Sequence, residues 1–175
     1  METKGLYKLY LAQGKNPPQG SIVGDFKKRD DKTFLCEIYL SDSEVAKAGL
    51  FDAVTTLYTG RAAIYVAAGM LDALQQGGME ERFELWHELG HIHCGHYETG
   101  VEAAAAPDTA RLLREEQEAD AFAAAELGVE TASAALRSML QVRAEVDKRL
   151  NVNGSPASVK AIRALRARID ALKEQ

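Results

Sequence analysis

The sequence predicts an α+β protein, rich in helix, with a small β-sheet on its N-terminal side. Two observations carry that reading. Strand-like composition is confined to the first seventy residues, in the aromatic and β-branched runs at 33–40 and around Ile64-Tyr65-Val66. Beyond residue 79 the chain divides into long segments of helical periodicity, separated by Gly128 and by the turn Asn151-Val152-Asn153-Gly154.

Taken in order, residues 14–20 form a Gly- and Pro-rich loop, and residues 33–40 a first strand. Ser41, Asp42 and Ser43 offer N-caps for a helix carrying Val45, Leu50, Val54 and Leu57, closed by Gly60. Residues 62–67 make a second strand. A helix over 79–94 follows Gly77-Gly78, with Phe83, Leu85, Trp86, Leu89 and Ile92 as its apolar contacts. Residues 95–109 read as a loop, after which Asp108 or Thr109 caps a helix that runs to about Leu127. A further helix spans 132–150. Ser155 and Pro156 then supply an N-cap and first-turn pair for the last one. Its Lys160, Arg163, Arg166, Arg168 and Lys173 alternate with Ile162, Leu165, Ile169 and Leu172, the pattern of an amphipathic helix packed on the domain.

A length of 175 residues suits one domain, with 1–59 as an N-terminal part, 60–130 as the core and 131–175 as C-terminal helices. A formal net charge of -5 argues against direct binding of nucleic acid, which needs a basic face. Cys36 and Cys94 are too sparse for a disulfide framework and fit a reducing compartment. No secretory signal is expected in the first eleven residues. The longest uncharged apolar stretch, 62–71, is half of the roughly 20 residues a membrane span needs. These features predict a cytoplasmic protein with no membrane partner.

The chemistry is concentrated in His87-Glu88-Leu89-Gly90-His91. Residues four apart on a helix share a face, so both imidazoles can reach one ion, and Glu88 stands beside it as a general base for a metal-activated water. A third ligand is needed, and two candidates compete. His96 misses the spacing of the extended three-histidine motif by one residue, since positions 94 and 97 hold Cys94 and Tyr97. Glu116, on the following helix, shares a face with Asp120, which can accept a hydrogen bond from a ligand histidine. Glu116 is the preferred ligand. Glu115 and Glu118 read as a solvated acidic face, and His93 as a surface histidine.

Residues 82–91 together with 116–123 resemble the ImmA/IrrE family of gluzincin metallopeptidases, which commonly has Asn where this chain has Asp120. Residues 64–71 and the element around Ser155-Pro156, Ile162 and Leu165 are similar to the HtpX and CAAX-prenyl-protease branch, with Ser155 and Ala161 in place of its His and Arg. A soluble minigluzincin would join the two. The resemblance implies a zincin-like fold and one Zn2+ per chain on His87, His91 and Glu116. It also implies Glu88 as the base, and Asp120 behind a ligand. Gly90 would let a neighbouring backbone approach. Ile64, Tyr65 and Val66 would be the sheet edge to which a peptide adds, with His96 and Tyr97 as further substrate contacts. His96, Tyr97 or an arginine of the last helix would stabilise the oxyanion. Members are cytoplasmic and often act on helix-turn-helix repressors, so a protein or peptide substrate is expected, with a transcriptional regulator as one such target. The alternative is a zinc-fold module that binds a partner protein without cutting it.

Overall fold

The computed structural model describes residues 7–11, 22–28, 36–40, 53–58, 61–96 and 109–174. The elements are β1 (Tyr7–Leu11), β2 (Ile22–Lys28), β3 (Cys36–Leu40), β4 (Ala53–Tyr58) and β5 (Arg61–Val66). They are followed by α1 (Ala68–Gln75), α2 (Met79–His93), α3 (Thr109–Leu127), α4 (Val129–Arg149) and α5 (Pro156–Lys173). The strands form one sheet in the order β1-β2-β3-β5-β4. The first three run antiparallel, β5 lies parallel to β3, and β4 returns antiparallel to β5 with Tyr58 opposite Arg61.

Two expectations change here. Val54 and Leu57 belong to strand β4 rather than to a helix, because Val54 pairs with Tyr65 and Leu57 with Ala62. Residues 41–52, the start of that expected helix, lie outside the described residues. The stretch after β5 forms the helix α1, which buries Met70, Leu71 and Leu74.

The second correction concerns Ile64, Tyr65 and Val66, expected at the sheet edge. They pair with Ile38, Tyr39 and Leu40 on one side and with Thr55, Val54 and Ala53 on the other. Ile64 and Val66 are wholly buried. A strand with both hydrogen-bonding edges occupied cannot accept a peptide as an added strand. Their apolar, β-branched character comes from burial inside the sheet, not from a binding role.

Helix α2 is the centre of the molecule. Phe83, Leu85, Trp86, Leu89 and Ile92 are buried around most of its circumference, and it packs against α1, α3, α4, β4 and β5. Glu80 and Glu81 in its first turn complement the helix dipole. Such all-round burial fixes where its histidines stand. The closest packing is to α3: a Cβ on Gly90 would lie 2.7 Å from the Ala119 Cα and 2.8 Å from its carbonyl oxygen. Only a residue without a side chain admits that approach.

Helix α5 closes the bundle. The Ser155 hydroxyl accepts a hydrogen bond from the Ser158 amide, and Pro156 occupies the first turn. The Ser158 hydroxyl donates to Asp147 Oδ2 at 2.5 Å, and Arg143 pairs with Asp147 Oδ1 at 2.9 Å. That buried carboxylate ties the end of α4 to the start of α5.

Candidate metal centre

The Gly90–Ala119 contact brings Glu116, one turn earlier on α3, to the two histidines of α2. The Nε2 atoms of His87 and His91 are 3.1 Å apart. Glu116 Oε2 is 3.5 Å from His87 Nε2, and its Oε1 is 3.5 Å from His91 Nε2. A tetrahedral zinc with bonds of about 2.0–2.1 Å holds nitrogen and oxygen ligands roughly 3.3 Å apart. All three separations lie within a few tenths of an ångström of that value, so the cluster can hold a metal ion.

The hydrogen bonds around the histidines set which ring nitrogen is bare. Asp120 Oδ1 accepts from His87 Nδ1 at 2.8 Å, which leaves His87 Nε2 directed at Glu116. His91 is set from the other side. Its Nδ1 lies 2.8 Å from His96 Nδ1, and His96 Nε2 lies 2.9 Å from Glu118 Oε2. An ionised carboxylate only accepts, so neutral His96 donates through Nε2 and accepts at Nδ1. His91 must then donate from Nδ1, which leaves its Nε2 bare. With His87 in its neutral form, both histidines thus present lone pairs to the point that Glu116 also faces.

The electrostatics show the same demand for positive charge. Burial pushes the pKa of His87 down, but hydrogen bonds to Asp120 and Glu116 outweigh it and raise it to about 9. Burial pushes Glu116 and Asp120 up. The contacts of Glu116 with His87, His91 and Arg168, and the hydrogen bonds from Arg168 and His87 to Asp120, outweigh it and hold both carboxyls below their usual range. In the chain without metal, a second proton on His87 supplies the cation.

Arg168 of α5 completes the arrangement. Its Nε and one terminal nitrogen donate to Asp120 Oδ2 and Oδ1, both at 2.7 Å, and its other terminal nitrogen reaches Glu116 Oε2 at 2.7 Å. Asp120 Oδ1 therefore accepts from both His87 and Arg168. Bidentate pairing of this kind is the geometry at which arginine excels. A cavity of about 190 Å³ opens on this cluster, lined by Phe83, His87, Glu88, Glu116, Met139 and Arg168 among others. Glu88 thus faces the same space as His87 and Glu116.

Of the other expected site residues, Ile64, Tyr65 and Val66 do not line this cavity, and Tyr97 lies outside the described residues. His96 is present, but its contacts run to His91 and Glu118. His93 is exposed and stacks on Phe122 with centroids 4.7 Å apart. Two residues were missed. Glu118, expected on a solvated face, is the acceptor that orders His96. Arg168, read only as one of the basic residues of the amphipathic last helix, is 8% exposed. Its spacing could have revealed it, because Leu165, Arg168, Ile169 and Leu172 recur as i, i+3, i+4 and i+7 on the buried face.

Two helix-borne histidines, a carboxylate from the next helix and a flanking glutamate define a donor set suited to a hydrolytic metal centre. The comparisons agree at that level. Residues 75–152, a little under half of the chain, match the family model of the IrrE N-terminal-like domain, peptidase family M78. That stretch of the chain is similar to a metallopeptidase-type domain. It holds His87, Glu88, His91, Glu116 and Asp120, while Arg168 and the element around Ser155 lie beyond it. No curated protein and no solved structure matches the chain.

Proposed function

We propose that this protein is a zinc-dependent peptidase of zincin-like fold that hydrolyses peptide bonds of a protein substrate. The observation that supports this most is the set of three ligand separations, 3.1, 3.5 and 3.5 Å, beside a carboxylate facing the same cavity. His87, His91 and Glu116 would hold the ion, one per chain. A zinc in that place supplies a Lewis acid and lowers the pKa of a water from 15.7 to about 7.

The remaining steps belong to the chain. Glu88 accepts the proton of the attacking water and delivers it to the departing amine. Asp120 keeps His87 in the tautomer with a bare Nε2, and the His96–Glu118 pair does the same for His91. Arg168 is committed to Asp120 and Glu116, which argues against it as the group that stabilises the tetrahedral oxygen. With β5 enclosed, the strand available to an extended substrate is β4, which has one sheet neighbour among the described residues and packs beside α2. A cytoplasmic regulator of transcription is the substrate class that the family resemblance favours. Among the described residues no helix is long and apolar enough to cross a membrane.

The test combines metal content with hydrolysis. Wild-type protein should carry about one zinc at this centre, and Glu116→Ala, made in a Cys94→Ser background, should lose it. Glu88→Gln should keep the zinc and lower the turnover of a peptide library by about 10²–10⁴-fold. Retention of the biological effect by Glu88→Gln would instead favour the partner-binding module.

A further inference from the structure

On the far side of His91 a second set of ligating groups converges. Cys94 Sγ, a ring nitrogen of His96 and a carboxylate oxygen of Glu118 all lie within 4.8 Å of one another. Cys94 sits at the C-cap of α2. Gly95, at a φ of 75°, turns the chain so that His96 comes back beside the helix end. Glu118 arrives from α3, one residue before the Ala119 that is pressed against Gly90. Two elements locked together by the same backbone contact thus present a thiol, an imidazole and a carboxylate to one point.

We propose that Cys94, His96 and Glu118 form a second metal site, selective for thiophilic divalent ions, and that an ion bound there opposes one at His87, His91 and Glu116. The existence of this site does not depend on the peptidase reading; the opposition does, because it acts through the first centre. Tetrahedral zinc holds sulfur, nitrogen and oxygen ligands roughly 3.3–3.6 Å apart. The three groups lie within 4.8 Å of one another, so reaching that spacing asks for at most about 1.5 Å of movement, and the Cys94 and Glu118 side chains that would move are exposed. A thiolate is a soft ligand, so with Cys94 in the set the site favours zinc, cobalt or cadmium over magnesium or calcium.

The opposition follows from the hydrogen-bond chain. In the tautomers that an ionised Glu118 favours, His91 Nδ1–H donates to His96 Nδ1 at 2.8 Å, and His96 Nε2–H donates to Glu118 at 2.9 Å. An ion taking His96 Nε2 and Glu118 needs that nitrogen bare. The His96 proton then sits on Nδ1 and donates to His91 Nδ1, so the His91 proton moves to Nε2. The imidazole pair keeps both protons and shifts each by one position; the thiol proton leaves to solvent. His91 Nε2 now points a hydrogen, not a lone pair, at the first centre.

Cobalt(II) titration of the full chain with reduced thiols tests this. Wild type should bind one ion without sulfur and then a second that gives a thiolate-to-cobalt charge-transfer band. The band should vanish in Cys94→Ser and in His96→Ala. In His87→Ala, or in Glu116→Gln if that variant does not fold, the band should appear at about fivefold lower cobalt or less, within the usual range of coupling between sites. Excess zinc should inhibit hydrolysis by wild type but not by Cys94→Ser. Cobalt binding with no thiolate band, or a band that persists in the double variant His96→Ala, Glu118→Ala, would overturn the site. An unchanged midpoint in both His87→Ala and Glu116→Gln would overturn the opposition. A thiolate band in a chain without hydrolysis would leave the second site standing and remove the peptidase reading.

Discussion

Asp120 and Arg168 are buried at 0% and 8% exposure, and neither carries its charge alone. Replacing one member of a buried pair strands the other, at about 3–5 kcal/mol. Arg168→Met should therefore lower unfolding free energy by that amount in urea titrations, and the added change Asp120→Asn should recover part of it. Gly90→Ala is the second diagnostic change. Its new methyl meets the Ala119 backbone rather than a movable side chain, so overpacking should cost about 1–3 kcal/mol. It should also weaken metal binding, because α3 carries Glu116 away as it yields. At this scale the sequence was informative wherever a residue acts through local spacing. His87, Glu88 and His91 lie within one turn of a helix, and Glu116 and Asp120 within one turn of another. Arg168 and Glu118 act across elements, and no local spacing reports a partner 48 residues away or an acceptor 22 residues away.

Helix boundaries were legible because their punctuation is chemical. Gly128 stands between α3 and α4, and Ser155-Pro156 opens α5 where expected. Strands were harder. Val54 and Leu57 fit either a helix face or a strand, and only pairing with β5 decides between them. The place of β5 inside the sheet was equally hidden, since an enclosed strand and an edge strand can share one apolar composition. The α4–α5 junction gives a prediction for this scale. Ser155→Ala removes the N-cap acceptor and should cost about 1 kcal/mol. Ser158→Ala also breaks the bond to Asp147, whose hydrogen bonds from Ser158 and Arg143 hold its carboxyl below the usual range. Stability from Asp147 is present above its unfolded pKa and is lost as pH falls through the lowered folded value. The Ser158→Ala deficit, measured by thermal melts, should therefore shrink in strong acid.

The whole molecule has a pH dependence that reveals what fills the centre. A raised histidine pKa means that the folded state binds its proton more tightly than the unfolded state does. For His87 that stability is complete below about 6.5 and is lost as pH rises through about 9. Chelator-treated protein should melt at progressively lower temperature across that interval. Zinc-loaded protein should not follow it, because the ion takes the place of the proton. The chain is also built in one direction, and domains form as it emerges. His87, His91, Glu116 and Asp120 are all synthesised well before Arg168 arrives on α5. Until then the nascent chain holds the carboxylates of Glu116 and Asp120 without the guanidinium that pairs with both in the folded chain. Completion of the pocket is thus a late event in biosynthesis, and a ribosome stalled before residue 168 would carry every ligand of the centre without its counter-charge.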